Sequence, residues 1–432
     1  MVQYFDVIVV GAGPAGSVTA LKLARRGLNV CLLERGGRPG AKNMFGGLLH
    51  NTPALNDLVP SFWEKAPLER HVYKKVLAFM TPESAVSLTF ENEKFDQPPY
   101  NGYTVLRPVF DSWLADEAVK AGATLLCDCT ADDLVAEDGK IAGVTVKGRD
   151  GELRANIVIV ADGVLSLLAK QAGLRADFLP SNMGVGVKLL LGLPEATINE
   201  RFHLVRDQAA DIAFLGIPGG IRGGSFLYTN RESISVGMVM HLDSLKESGK
   251  APYDILEDLL QHPQVRRLIK GAESLEYSAH LVPEGGIRAV PKVYTDGMMV
   301  VGDAAGLCYT NGINLEGINL AMTSGALAAE TAIAAVESRD YSDSMLSLYK
   351  RKLDESFVMK DMKKFKSAVG MMHIDRLYDT YPRILSNIMK KVYKVDGTPR
   401  KKLLGLARRE ALKEIGLKDF VADGIKIGRA LL

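Results

Sequence analysis

Apolar positions in this chain fall into short runs with strand and helix periods, and no run is long. Tyr4–Val10 grows into a continuous apolar strand, FDVIVV, and Leu28–Leu33 is a second. Between them Ser17–Arg26 carries Val18, Ala20, Leu21, Leu23 and Ala24 at helical spacing, and Gly27 stops it. Val158-Ile159-Val160 and Met298–Val301 read as further buried strands. Arg107-Pro108 opens a helix, and Ser233–Met240 alternates as a half-buried strand. Asp254–Ile269 is helical except at its proline. Tyr341–Phe365, Pro382–Tyr393 and Arg400–Ile415 place Leu and Ile three and four residues apart with Lys and Arg opposite, which predicts amphipathic helices.

Composition adds limits. At 432 residues the chain is long enough for two or three domains. Its 47% hydrophobic and 24% charged residues exclude a disordered or fibrous protein. No apolar run approaches the ~18 residues that span a bilayer, and no basic region precedes the first run, so neither a membrane span nor a signal peptide is expected. The net charge of +2 hides an asymmetry: residues 337–432 hold 22 Lys and Arg against 13 Asp and Glu. Such a region suits an anionic lipid surface or an acidic protein, or is simply a solvated helix face. No RNA- or DNA-binding motif accompanies it, so a nucleic-acid partner is not expected. The four cysteines, Cys31, Cys127, Cys129 and Cys308, lack the spacing of a metal or cluster site, so no metal is expected. Cys31 reads as a core thiol, Cys127 and Cys129 as strand residues, and Cys308 as a packing or redox residue.

The turn after the first strand carries chemistry. It reads Gly11-Ala12-Gly13-Pro14-Ala15-Gly16, and the second strand ends in Glu34. Strand, glycine turn, helix, strand and acid in this order form a dinucleotide site. Gly11 makes the turn, Gly13 lets backbone approach a diphosphate, and Gly16 lets helix pack on strand. The helix N-terminus offers amides to the phosphates, and Glu34 accepts from a ribose.

Three distant segments complete a resemblance. With Arg107-Pro108, the strand end Ala161-Asp162-Gly163 and the late Gly302-Asp303-Ala304-Ala305-Gly306, the chain resembles the glutathione-reductase-type FAD-binding fold in its hydroxylase-like branch. The fold class expected is therefore α/β, with a β-rich quinone or substrate domain and a C-terminal helical region. The resemblance implies FAD as cofactor, bound by Gly11, Gly13, Pro14, Ala15, Gly16, Glu34, Arg35, Asn43, Gly46, Gly47, Arg107, Ala161, Asp162, Gly163, Gly302, Asp303, Gly312, Asn314 and Gly317. Asp303 would meet the ribityl hydroxyls and Arg107 the phosphate and ribityl region. The flavin ring would lie between Gly46-Gly47 and Gly312–Gly317, with the helix after the late motif pointing its N-terminus at the pyrimidine.

The segments Lys42–Leu48, Gly223–Asn230, Glu276–Gly286, Glu316–Gly325 and Val395–Pro399 narrow this further. They are similar to electron-transfer-flavoprotein:quinone oxidoreductases, and most of all to FixC-type FAD subunits of electron-bifurcating complexes. That resemblance implies the α and β subunits of an electron-transfer flavoprotein as donors, a membrane quinone as acceptor, and Gly223 and Gly224 lining the quinone pocket. Its single-chain members end in a ferredoxin-like [4Fe–4S] domain that this sequence does not show, so a separate ferredoxin-like subunit is expected. The setting implied is cytoplasmic, with peripheral contact to the inner face of the membrane.

His280 is a candidate proton donor, imidazole being the side chain that titrates near neutrality, although a lone strand histidine is more often structural. Ile212–Pro218 and Ser225–Tyr228, apolar on both sides of Gly219–Gly224, read either as a hairpin admitting a prenyl tail or as two core strands. The expected organisation is a discontinuous FAD domain (1–75, 105–170 and 290–335), a β-rich domain (76–104 and 171–289) and a basic helical region (336–432). Three alternatives stand beside this reading. A geranylgeranyl-type prenyl reductase would carry aromatics where Ala213-Phe214-Leu215-Gly216-Ile217-Pro218 stands. An aromatic-ring hydroxylase would use O₂. An electron-relay subunit would hand electrons to protein and never to a free quinone.

Overall fold

In the computed structural model the apolar runs lie side by side. The structure describes residues 3–42, 46–148, 151–216, 220–400 and 402–431. Met298–Val300, Glu152–Val160, Gln3–Val10, Val30–Leu33 and Thr124–Leu126 form a parallel sheet in that order. Val7 pairs with Ile157 on one side and Val30 on the other. All three are fully buried, which is why these strands read as continuous apolar runs. The helices Pro14–Ala24 and Ile318–Ser338 pack closely: a Cβ on Gly325 would stand 2.3 Å from the carbonyl oxygen of Ala15.

A second sheet runs in the order Glu273–Pro283, Met183–Gly192, Ser233–His241, Gly223–Thr229, Gln208–Leu215, Arg70–Thr81, Gly102–Val105 and Gly47–His50. Ser84–Glu91 pairs with Arg70–Thr81. Val187, Leu189, Val236 and Met238 form its core with Ile255, Leu256 and Leu259 of the helix Pro252–Gln261. Gln208–Leu215 and Gly223–Thr229 are an antiparallel hairpin, with Ile212 opposite Leu227. The strand Gly47–His50 and residues 70–75 lie within the stretch 1–75 expected for the FAD domain, yet their hydrogen bonds belong to this second sheet. Leu49, Tyr103 and Val105 nonetheless bury their side chains in the core of the first. Sheet membership is decided by partners far off in the chain, which local pattern does not reveal.

The C-terminal region is helical: Asp343–Glu355, Phe357–Lys364, Ala368–Met372, Thr380–Tyr393, Leu403–Glu414 and Leu417–Leu431. The expected helix Tyr341–Phe365 is broken at Ser356, whose extended backbone (φ −75°, ψ 166°) ends one segment and starts the next. Leu417–Leu431 lies beyond the predicted helices. It is pinned by Asp423, which accepts from Nε and Nη2 of Arg376 (2.6 and 2.8 Å) and from the hydroxyl of Tyr381 (3.0 Å). After the late motif, a 3₁₀ turn (Gly302–Ala305) and a small hairpin (Tyr309–Thr310 with Leu315–Glu316) come before the long helix. Cys127 and Cys129 follow the strand Thr124–Leu126 and are not in it: Asp128 between them has φ 49°, and the Cys129 amide donates to the Glu34 carbonyl at 2.9 Å. Among the described residues no helix is long and apolar enough to cross a membrane.

Candidate functional site

Parallel strands end together, and their carboxyl ends make the site. Val10, Leu33, Val160 and Val300 deliver Gly11, Glu34, Ala161-Asp162 and Gly302-Asp303 to one edge, where they line a cavity of about 550 Å³. Gly11 has φ +103°, and a Cβ there would stand 2.4 Å from the Ala161 carbonyl oxygen. A Cβ on Gly16 would meet the Gly11 carbonyl oxygen at 1.9 Å, so Gly16 closes helix on turn and does not line the cavity. Gly13 differs: a Cβ there would have nothing within 4 Å, because Gly13 faces the open cavity. Pro14 has no amide proton, and the first intrahelical bond runs from Ser17 N–H to the Gly13 carbonyl (2.9 Å). The amides of Ala15 and Gly16 thus stand at the positive end of the helix dipole, a cradle for a diphosphate. Glu34 accepts from Ala12 N–H (3.2 Å) and Gly36 N–H (2.7 Å), which fixes its carboxylate and leaves lone pairs for a ribose. Arg35 is exposed at the rim.

Further along the cavity lie Asp162, Gly163, Arg107 and Asp303. Burial pushes the Asp162 carboxyl up to about 6. Its Oδ2 accepts from Leu168 N–H (3.4 Å), whereas its buried Oδ1 has no hydrogen-bond partner among the described residues. Arg107 reaches the cavity already engaged, donating from Nε and Nη2 to Asp111 at 2.8 Å each. That pairing holds the Arg107 guanidinium in place and in its charged form. Burial also pushes the Asp303 carboxyl up, against the pull of His280 and Arg107.

The far end gathers the remaining expected residues. Gly46, Gly47, Gly312, Asn314 and Gly317 line the same cavity. Gly317 is the N-cap of Ile318–Ser338, and a Cβ on it would lie 3.7 Å from Cys308 Sγ and 3.8 Å from Asp303 Oδ1. His280 lines the cavity, its Nδ1 within hydrogen-bonding distance of the Leu281 carbonyl. Gly223 and Gly224 line it too, for different reasons. Gly223 has φ +146°, and a Cβ would clash with the Val239 carbonyl oxygen at 2.0 Å. A Cβ on Gly224 would meet only the Phe214 carbonyl oxygen, at 3.9 Å. Alternation puts Gly224 on one face with Phe226 and Tyr228, whose rings stack at 4.8 Å. Asn43 lies outside the described residues.

Sequence reasoning missed Lys188. It sits in the apolar strand Met183–Gly192, buried, with Nζ donating to the Gly46 carbonyl at 2.6 Å and lying 5.1 Å from the centre of the Phe226 ring. Burial and the nearby Arg107 guanidinium pull its ammonium down to about 7. The signal was present as a lone charge amid Val185–Leu191. His241 and Glu284, which also line the cavity, were missed as well.

Comparison with known proteins names the class. Residues 6–175 match one family described as FAD dependent oxidoreductase, and residues 108–331 match a second of the same description. Among solved structures, a geranylgeranyl bacteriochlorophyll reductase-like protein from Thermoplasma acidophilum superposes with a TM-score of 0.73 at 23% identity, over 98% of this chain and 100% of that one. The flavin-dependent brominase Bmp2 does so at 0.64 and 16%, over 95% and 99%. The chain is an FAD-dependent oxidoreductase of the glutathione-reductase type, and its cofactor is FAD.

Residues 358–432 match the ETF-QO/FixC family C-terminal domain. The probable electron transfer flavoprotein-quinone oxidoreductase YdiS of Escherichia coli (strain K12) is 45% identical over 432 residues, 99% of each chain. Protein FixC of Bradyrhizobium diazoefficiens is 41% identical over 434 residues, again 99% of each. This chain belongs to the ETF-QO/FixC family. The cavity fits the cofactor: the open face of Gly13 and the orphaned Oδ1 of Asp162 are where a dinucleotide would supply what the protein leaves unfilled.

Proposed function

We propose that this chain takes electrons from an electron-transfer flavoprotein, through that protein's α and β subunits, and passes them to a quinone. The observation that carries the reading is the continuity of one cavity. It runs from the dinucleotide turn at Gly13 to an apolar and aromatic end at Gly224, Phe226 and Tyr228. When bound, FAD supplies the redox chemistry, taking up two electrons and releasing them singly or together. The chain's own residues orient and tune. Gly13, Ala15 and Glu34 hold the diphosphate and ribose, with Pro14, Gly16 and Arg35 shaping that end. Ala161, Asp162 and Gly163, together with Gly302 and Asp303, border the middle, where Arg107 carries its charge beside Asp303. Gly46, Gly47, Gly312, Asn314 and Gly317 frame the ring. The Lys188 ammonium and the N-terminus of Ile318–Ser338 favour added negative charge there. Phe226 and Tyr228 offer a stacking face to a quinone.

The separate ferredoxin-like subunit, the bifurcating complex and the peripheral membrane contact at the inner face belong to this proposal. Their support is the C-terminal surface, where Leu404, Leu417, Phe420, Val421 and Ile425 are exposed in a region rich in Lys and Arg. The three-part domain organisation is proposed with the strands at 47–50 and 70–75 shared between the first two parts.

The test is anaerobic. The photoreduced protein is mixed with a short-chain ubiquinone or menaquinone, and the flavin absorption is followed. Prompt reoxidation, weakened by Gly224→Val, supports the reading. Indifference to quinone with reoxidation by a geranylgeranyl lipid replaces it with a prenyl reductase.

A further inference from the structure

One polar cluster in the cavity wall lies outside the set of residues expected to hold the cofactor. His241 ends the strand Ser233–His241, and Glu284 follows the strand Glu273–Pro283. The strand Met183–Gly192 runs between them, with Gly184 opposite His241 on one side and Val282 on the other. A Cβ on Gly184 would stand 2.6 Å from Oε2 of Glu284 and 2.7 Å from its Cδ, so the missing side chain admits the carboxyl. Nδ1 of His241 lies 3.5 Å from that Oε2. His241 is 3% exposed. Both of its ring nitrogens, and Oε2 of Glu284, lack a hydrogen-bond partner among the described residues. Buried polar atoms are nearly always satisfied, so an unclaimed set beside a cavity points to a ligand or to water.

The cluster continues outward. The His373 ring is centred 5.1 Å from that of His241, and His373 is only partly buried. Arg222 borders the cluster, paired with Asp243 at 3.0 Å and with the exposed Asp375 at 3.4 Å. His373, Asp243 and Arg222 face His241, and Asp243, Cys308 and Tyr378 face Glu284. Burial, reinforced by Asp243, pushes the Glu284 carboxyl up to about 8, and burial with His373 pulls His241 down to about 4. Near neutral pH the cluster's proton therefore rests on Glu284.

We propose that Glu284, His241 and His373 form a proton path from solvent to the cavity, with Glu284 as the terminal donor to an oxygen of the bound quinone. The path rests on the quinone reading above. Reduction of a quinone to a quinol consumes two electrons and two protons. The bound, reduced cofactor would supply both electrons and one of these protons, so the second proton has to enter from water. The O–H bond of the Glu284 carboxyl breaks as the quinol O–H forms. The carboxylate is then reprotonated through neutral His241, whose Nδ1 passes its proton to Oε2 as Nε2 takes up another from the side of His373, so the imidazole ends neutral as it began.

The experiment uses the FAD-loaded full chain, reduced anaerobically and mixed with a short-chain quinone. Glu284→Gln keeps the shape and removes the acid; reoxidation at pH 7 falls about 10²-fold, the usual contribution of a positioned general acid. His373→Ala slows the same step, and imidazole in the buffer restores it. Infrared spectra of the unreacted protein give an independent readout: a protonated-carboxyl C=O band at pH 7, fading as pH rises through about 8 and absent from Glu284→Gln. Reoxidation of Glu284→Gln at the wild-type rate, or no such band in the wild type, overturns the path while leaving the quinone reading intact. Wild-type protein that keeps its band but is not reoxidised by quinone brings down the quinone reading, and the path with it.

Discussion

Lys188→Met tests whether an ammonium is held out of water beside the flavin site. The side chain is 5% exposed, and its ammonium is pulled from 10.5 to about 7. At 1.36 kcal/mol per unit, that depression amounts to about 5 kcal/mol of destabilisation when the group must be charged. Methionine keeps the length and loses the hydrogen bond to the Gly46 carbonyl, a loss of about 1 kcal/mol. The cofactor-stripped variant is thus more stable than wild type by about 2–4 kcal/mol at pH 7. Between about 7 and 10.5 the unfolded chain binds the proton that the folded chain has released, so the wild type gains stability as pH rises, and the variant lacks this gain. Urea unfolding at pH 7 and pH 9 should show the difference shrinking by about 2 kcal/mol. Parallel curves for the two proteins, or a variant less stable at pH 7, would refute the buried-ammonium argument.

Other outcomes follow from the same geometry. Gly13→Val should fold, as circular dichroism would show, yet purify colourless because its side chain fills the diphosphate cradle. Gly224→Val should raise the quinone Kd by roughly 5- to 150-fold, corresponding to an overpacking cost of about 1–3 kcal/mol. Gly223→Ala should instead lower the melting temperature with or without quinone, because its Cβ meets the Val239 backbone. Glu284→Gln should stabilise the protein by about 3 kcal/mol at pH 7 and by nothing below pH 4.5. Wild-type folding holds the Glu284 proton and so weakens as pH rises from 4.5 to about 8; denaturation curves at pH 4 and 7 measure this.

The parallel sheet and its glycine turn were legible because burial on both faces and a strained turn leave strong marks in sequence. Gly11 and Gly16 are glycine because backbone atoms crowd them, and that requirement is visible without coordinates. Strand exchange was not legible, since nothing local tells Gly47–His50 that its partner is Gly102–Val105. The helix Leu417–Leu431 was missed because Gly424 and Gly428 dilute its pattern and a distant Arg376 holds it in place. Lys188 and His241 lie in strands and Glu284 just past the end of one, and their meaning arises only when three strands bring them to one wall. Cys127 and Cys129 mimicked strand alternation in what proves to be a turn.

Leu49, Tyr103 and Val105 hydrogen-bond in one sheet and bury their side chains under the other. A cut between the sheets therefore leaves either an unpaired backbone or an exposed core, and neither half has a complete interior alone. Melting should be a single calorimetric event, with the two halves sharing one transition temperature. Cofactor uptake in the cavity should then slow amide exchange in the Gly102–Val105 strand, which does not line it. Occupancy at one end of the molecule thus becomes rigidity at the other.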